Sequence, residues 1–346
     1  MELKGNKFGI HRVIEPQGVL TQAATKIDNH MDVHYSNEII CDVTALNIDS
    51  ASFTQIAKAC DYDEARMKEL ILDTINEKGK MQNRVTGSGG MFIGTVAYIG
   101  SELQERDLKV GDKIASLVSL SLTPLHIDEI LQIYKEIDRV DVKGQAVLFE
   151  SGIYIKMPDD MSEELTLAAM DVAGAPAQTA KLVKSSNSCL ILGAAGKAGV
   201  LCCYEAQKKA GASGNVVGVV YNEAEKNTLE ALSVCDHVVI ADATKPAEVL
   251  EKVLPLNDNQ EFDLSICCVN VEKCEMSAIL PVRDDGVVYF FSMATSFTRS
   301  ALGAEGIGKD VIMIIGNGYT KGHAEFTLNE LRESQKIRDF YARRYE

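Results

Sequence analysis

The chain has 346 residues, 46% of them apolar and 25% charged, which is the balance of a soluble globular protein too long for one compact domain. Fifty acidic against 35 basic residues leave a net charge of -15, which argues against a nucleic-acid partner, since phosphate backbones require a basic face. The opening MELKGNKFGI lacks the apolar run of a signal peptide, no stretch approaches the ~18 apolar residues of a membrane span, and the nine cysteines include no C-x-x-C; reduced thiols, a cytoplasmic location, no membrane partner and no four-cysteine zinc site are therefore expected.

In chain order, EIICDVTALNID (38–49) and GTVAYIGSELQERDLKVGDKIASL (94–117) read as antiparallel strands joined by loops. Between them DEARMKELILDTINEKG (63–79) has helical spacing and stops at Gly79. From residue 188 the pattern changes. SCLILG (188–193), NVVGVVY (215–221), HVVIAD (237–242), FDLSICCV (262–269), GVVYFF (286–291) and DVIMIIG (310–316) are short and rich in valine and isoleucine, as strands buried on both faces of a parallel sheet are. Amphipathic segments such as AEKNTLEALS (224–233) and KPAEVLEKVL (245–254) separate them, so a doubly wound sheet is predicted. TLNELRESQKIRDFYARRY (327–345) reads as one amphipathic helix.

The first of the six runs ends in a turn of small residues, Gly193-Ala194-Ala195-Gly196-Lys197-Ala198-Gly199, and a helix follows. Glycines there allow backbone N–H groups at a helix N-terminus to approach a pyrophosphate. The strict G-x-G-x-x-G spacing fails, because Ala195 and Ala198 hold the second and third places. Gly193, Ala195, Gly196, Lys197, Ala198 and Gly199 are nonetheless the candidate phosphate cradle; Lys197 reads equally as a solvated side chain and as one reaching a phosphate. The second run ends at Asn222, with Glu223, Glu225 and Lys226 beyond it. Neither an acid at the tip for a ribose hydroxyl nor an arginine for a 2′-phosphate is present, so NAD and NADP are not separated.

The turn GAAGKAG resembles the G-x-x-G-x-x-G form of the medium-chain dehydrogenase/reductase superfamily, near its zinc-free quinone-reductase branch. ALNIDSASF (45–53), GGMFIGTVAYIGSELQERDLKVGDKI (89–114) and AGAPAQTA (173–180) resemble further marks of that superfamily in order. The resemblance implies a GroES-like, mostly antiparallel β catalytic domain over 1–160, completed by 319–346, and a Rossmann domain over 161–318. It implies that Thr179 reaches the nicotinamide; Val269, Asn270 and Ser292, after the fourth and fifth runs, join the candidate cofactor residues. It also implies a homodimer formed by pairing DVIMIIG across a two-fold axis. Gly89-Gly90-Met91 stands where the zinc enzymes carry Gly-His-Glu, so no zinc is expected. HRVIEPQGVLTQAATKIDN (11–29), LNIDSASFTQI (46–56), NRVTGSGGMFIGTV (83–96) and IIGNGYTKGHA (314–324) are similar to the L-erythro-3,5-diaminohexanoate dehydrogenase family. That likeness implies oxidative deamination at C3 of a small diamino acid in anaerobic lysine fermentation, with NAD or NADP. A zinc-free quinone or enoyl reductase and a non-catalytic NAD(P)H-binding protein are the alternatives.

Deamination needs a group that takes a proton from the amine and later serves the attack of water. Asp49 is the first candidate, because the resemblance implies that its strand end faces the nicotinamide; it reads also as a cap on the turn into SASFTQI. Glu150 in QAVLFESG and His323 in GNGYTKGHAEF are the other two, the latter because histidine titrates near neutrality. Arg12 is a candidate for the substrate carboxylate and Glu15 for an ammonium group, unless the two pair with each other for structure. His11, His30, His34, His126 and His237 have no metal-ligand spacing.

Overall fold

The computed structural model describes residues 2–316 and 318–345. The chain divides between Glu163 and Glu164 into two units.

In the first unit, β1 (Val13–Glu15) and β2 (Lys26–Ile27) form a short antiparallel ribbon. β3 (Glu38–Asn47) follows, then α1 (Ser50–Ala59), α2 (Glu64–Lys78), β4 (Met91–Ile99), β5 (Lys113–Ser116), β6 (Leu125–Tyr134), β7 (Arg139–Phe149) and β8 (Tyr154–Lys156). β3 to β8 make one antiparallel sheet in the order β6-β7-β3-β4-β5-β8. α2 starts on Asp63, whose carboxylate accepts from Arg66 N, and stops at Gly79, whose φ of 73° suits glycine and whose missing Cβ leaves room for the Ile27 carbonyl. Its buried face carries Met67, Ile71 and Ile75, each contributing about 1.5–3 kcal/mol. Lys80 is buried next to it; its ammonium donates to the Thr21 and Gln22 carbonyls at 2.5 and 3.1 Å, and burial pushes its pKa down to about 8.

β6 departs from simple alternation. Its core residues Ile127, Ile130 and Ile133 recur every third position, a helical spacing. The register against β7 slips between Ile127 and Glu129 and again between Ile130 and Gln132. Each slip adds one residue to the strand and returns the next isoleucine to the core face.

The second unit opens with α3 (Glu163–Met170, whose first residue belongs to the first unit) and α4 (Gly174–Leu182). Then come β9 (Ser188–Leu192), α5 (Lys197–Ala210), β10 (Asn215–Val220), α6 (Glu223–Leu232), β11 (His237–Ile240), α7 (Pro246–Val253), β12 (Phe262–Cys267), α8 (Glu275–Ile279), β13 (Val282–Phe290), α9 (Phe297–Ile307) and β14 (Ile312–Ile315). All six strands are parallel, in the order β11-β10-β9-β12-β13-β14. That is the doubly wound Rossmann order, with its switch point between β9 and β12. The six apolar runs of the sequence are these strands.

Two expectations about the C-terminal segment are corrected. It forms two helices, α10 (His323–Glu333) and α11 (Gln335–Tyr345). Ser334 adopts an extended φ of -123°; its N–H closes α10 on Glu330 O, and its hydroxyl accepts from Ile337 N at 3.4 Å, opening α11. The segment also belongs to the second unit rather than completing the first. Thr327 Oγ1 donates to Ala173 O at 3.1 Å and Tyr341 OH to Lys197 O at 2.7 Å, tying the two helices to α4 and α5.

That packing buries two acids. Glu205 on α5 and Glu330 on α10 are each 1% exposed, and neither Glu330 oxygen has a hydrogen-bonding partner among the described residues. Burial, then the neighbouring Glu205 and Cys202, push the Glu330 pKa well above the ordinary 4.5, against the opposing pull of Lys208. Glu330 therefore keeps a proton that the unfolded chain releases above about 4.5. Its favourable contribution is complete below that pH and is lost as pH rises toward the folded value, at up to about 1.4 kcal/mol per pH unit. Glu330→Gln should flatten this slope, so its melting temperature gains on the native chain between pH 5 and pH 8. Parallel slopes for the two proteins would refute the assignment.

Candidate functional site

In the second unit the turn after β9 shapes a cavity of about 610 Å³, the size of a small-molecule pocket. Its walls include Gly193, Ala195 and Gly196 from the turn, Tyr221 and Glu225 beyond β10, Asp242 and Thr244 beyond β11, Val269 and Asn270 beyond β12, and Arg344 from α11. The carboxyl ends of β9, β10, β11 and β12 thus converge on it, as ligand sites in open α/β sheets do. Gly193 has a φ of 74°, which excludes most side chains. A Cβ on Gly199 would collide with the Gly193 carbonyl and lie 2.7 Å from Ala194 Cα, so α5 packs tightly on the turn. Gly196 differs: a Cβ there would meet only Gly193 O, at 3.3 Å. Gly196 caps α5 with no side-chain hydrogen bond, and the N–H groups of the first helical turn have no acceptor within the helix. Open donors, the positive end of the helix dipole and an unfilled space beside a glycine fit a dinucleotide pyrophosphate.

The other expected cofactor residues lie as follows. Ala198 and Gly199 are buried in α5 and serve its packing. Lys197 is not among the cavity's walls; its ammonium pairs with Asp171 at 2.9 Å and sits 4.9 Å from the Tyr345 ring centroid. Asn222 caps α6 by accepting from Glu225 N at 3.0 Å. Glu225 folds back so that Oε2 accepts from Tyr221 N at 2.8 Å. A carboxylate does stand at the tip of β10, carried by the first turn of the next helix. Asp242, missed in the sequence, is a second acid; Thr244 N–H and Oγ1–H donate to it at 2.9 and 2.7 Å and hold its carboxyl below the usual range. Ser292 lies just beyond β13, accepting from Ala294 N at 3.2 Å, and is not a cavity wall. Thr179 is fully buried and its hydroxyl donates to Ala175 O within its own helix at 2.9 Å, which corrects its expected reach toward a cofactor.

In the first unit Asp49 is the N-cap of α1. Oδ1 accepts from Ser52 N at 2.9 Å, while Oδ2 is shielded from solvent and has no partner among the described residues. Both readings of this residue therefore find a carboxylate oxygen. Gly90, with a φ of 89°, packs its Cα side against the Asn47 carbonyl and Asp49 N, leaving no room for a side chain. A polar network adjoins: Ser52 Oγ and Thr86 Oγ1 lie 2.5 Å apart, and Asn83 Nδ2 donates to Gln55 Oε1 at 2.7 Å.

Glu150 is held elsewhere. It follows β7, accepts from Asn37 Nδ2 at 3.1 Å, and lies beside the start of β3, where Glu38 pairs with Phe149. Asp49 lies past the other end of the same ten-residue strand, about 30 Å away at ~3.3 Å per residue. The two acids cannot serve one reacting carbon. Arg12 is fully buried and grips Glu38, through Nη2 to Oε2 at 2.6 Å and Nε to Oε1 at 3.0 Å. Its guanidinium also donates to His30 O, so it is not a substrate ligand, and its partner is Glu38 rather than Glu15. Glu15 is exposed on the β1–β2 ribbon. In the second unit His323 opens α10, 5% exposed, its ring edge-on to Tyr319 at 5.3 Å. Burial lowers its pKa and keeps the imidazole neutral at pH 7.

Among the described residues no group of three or more His, Cys, Asp or Glu side chains is arranged to hold a metal, and no helix is long and apolar enough to cross a membrane. All nine cysteines are free.

A family profile described as the L-erythro-3,5-diaminohexanoate dehydrogenase N-terminal domain matches residues 11–158. A protein of Acetoanaerobium sticklandii named L-erythro-3,5-diaminohexanoate dehydrogenase is 62% identical over 344 residues, covering 99% of this chain and 100% of its own. One of the same name from Fusobacterium nucleatum subsp. nucleatum is 61% identical over 339 residues, 98% of both chains. Among solved structures, the CurK enoyl reductase aligns with a TM-score of 0.56 at 15% identity, over 96% of this chain and 86% of that one. A mycobacterial protein solved in complex with NADPH aligns at 0.55 and 14% identity, over 89% of each. At such identities the structures speak to fold alone, which is a GroES-like, mostly antiparallel β domain together with a Rossmann domain.

Proposed function

The chain belongs to the L-erythro-3,5-diaminohexanoate dehydrogenase family, and on that basis we propose that it oxidatively deaminates 3,5-diaminohexanoate at C3, giving 5-amino-3-oxohexanoate and ammonia. The observation that carries this reading is identity above 60% over nearly the whole length of both relatives. The cavity at the Gly193–Gly199 turn supports a nicotinamide dinucleotide, held by the turn and the first N–H groups of α5. When bound, the nicotinamide supplies the hydride acceptor. Glu225 at the tip of β10 favours ribose hydroxyls, and hence NAD, over a 2′-phosphate.

The chain's own groups then have three tasks. Asp49 Oδ2, with no protein partner among the described residues, takes the proton that the C3 ammonium must lose before hydride leaves C3. The carboxylate passes that proton to solvent; the iminium carbon then accepts water, whose proton the same carboxylate receives and returns to the nitrogen. Ammonia then leaves as the C3 carbonyl forms. Oδ1 stays bonded to Ser52 N throughout and fixes the carboxylate's direction. Neutral His323 is the second candidate for proton transfer. The polar network of Ser52, Gln55, Asn83 and Thr86 supports the helix that Asp49 starts.

Purified protein with 3,5-diaminohexanoate should reduce NAD or NADP, followed by absorbance, with faster turnover of NAD. Turnover should persist after exhaustive chelation, because Gly89-Gly90-Met91 offers no zinc ligand. Quinone or enoyl reduction without any amine oxidation would overturn the proposed reaction. So would loss of activity in chelator that zinc restores overturn the metal-free chemistry.

We further infer that the chain is a cytoplasmic homodimer; its nine free thiols fit a reducing compartment. β14 is a terminal strand of the Rossmann sheet, and Ile312 and Ile315 are 57% and 54% exposed. An apolar open edge is an aggregation hazard that pairing with its own copy removes. Light scattering at micromolar concentration should give twice the chain mass; a monomer would rule the pairing out.

A further inference from the structure

We propose that Arg344, near the end of α11, supplies the cation that binds a phosphate of the dinucleotide. This rests on the reading of the Gly193–Gly199 cavity as the cofactor site. Among the described residues three charged side chains line that cavity, Glu225, Asp242 and Arg344, and only the last is positive. Lys197, which the sequence offers for the task, is committed to Asp171 and to the Tyr345 ring. A dinucleotide brings two phosphate charges to a wall that otherwise holds two carboxylates. The α5 dipole supplies about half a unit of positive charge, and Arg344 adds one full positive charge.

The guanidinium is placed for this. Arg344 Nη1 donates to Ala195 O at 3.1 Å, inside the glycine turn. Its carbon centre lies 5.6 Å from the Phe340 ring centroid and 5.9 Å from that of Tyr345, and no carboxylate pairs with it among the described residues. One N–H of the fork is used; the others remain for a ligand, in the geometry that suits two phosphate oxygens. The tail is anchored where this requires it. Ile337, Phe340 and Tyr341 are buried, and the Tyr341 hydroxyl donates to Lys197 O at the first turn of α5. The last helix thus carries its arginine to the turn by packing.

The phosphate is either the pyrophosphate, common to NADH and NADPH, or the 2′-phosphate of NADPH alone. Fluorescence titration of the full chain with each nucleotide separates them. Arg344→Gln should weaken binding by about 10- to 100-fold, the loss of a charge-assisted hydrogen-bonded pair, and Arg344→Lys should restore part of it. An equal loss for both nucleotides assigns the pyrophosphate; a loss for NADPH only assigns the 2′-phosphate. Arg343→Gln is the control, because that side chain bonds Asp339 O in its own helix and is not a wall of the cavity. Unchanged affinity in Arg344→Gln with an unchanged melting temperature overturns the proposal, as does an equal loss in Arg343→Gln. Failure of the native chain to bind either nucleotide would instead overturn the cofactor reading beneath it.

Discussion

Gly196→Val should abolish nucleotide binding while leaving the fold nearly intact. Gly196 adopts φ -77° and ψ 171°, extended backbone that valine accepts readily. Its added Cβ meets no protein atom closer than Gly193 O at 3.3 Å. The stability cost is that of exchanging glycine for valine at a helix cap, about 1 kcal/mol, or roughly 2–4 °C in melting temperature for a domain of this size. Binding pays far more heavily. The new methyl groups stand at the mouth of the α5 N-terminus, where a pyrophosphate would approach the open N–H groups. Calorimetry should show NADH affinity lowered by at least about a hundredfold. Gly199→Val is the contrasting variant: its Cβ collides with the Gly193 carbonyl and crowds Ala194, so the fold itself should be lost. Native-like affinity in Gly196→Val would place the cofactor elsewhere.

Asp49→Asn separates chemistry from capping. The structure gives the side chain a capping bond through Oδ1 and an unpartnered Oδ2. Asparagine caps nearly as well as aspartate, so melting temperature should hold. It cannot accept the substrate's proton, and loss of a positioned acid or base typically costs about 10²–10⁴ in rate. Because the lost interaction strengthens in the transition state, kcat and kcat/KM should fall together. Glu150→Gln, altered at the far end of β3, should leave the rate of amine oxidation unchanged. If Asp49→Asn keeps native turnover, His323 becomes the leading base, and His323→Gln should then remove the acidic limb of the pH–rate profile.

The parallel sheet, the glycine turn and the limits of α2 were legible in the sequence because each is written within a few residues. Short unbroken valine and isoleucine runs are what strands buried on both faces of a parallel sheet look like. A helix stop at Gly79 needs only a residue at ease with a positive φ. β6 was not legible, although it is among the longest strands, because its isoleucines repeat every third residue. Only pairing with β7 inserts the two bulges that turn that helical spacing into a strand. Ser334 carries a cap signal in LRESQKIRD, but a cap in mid-pattern also reads as a solvated residue on one helix. The bend is decided by α10 and α11 docking on different helices, α4 and α5.

The site divides along the same line. Gly193, Gly196 and the residues beyond β12 announce themselves as a strand-turn-helix, whose geometry is local. Partnerships between distant residues do not. Arg12 meets Glu38 across 26 positions, and Arg344 meets Ala195 across 149. Asp49 and Glu150 both stand as candidate bases until the length of β3 separates them. Local composition determined which segments become strands, turns and helices, because backbone preference and hydrophobic period act over a few residues. Which charge faces which cavity was decided only by packing, because side chains at unrelated positions are brought together by the burial of the surfaces between them.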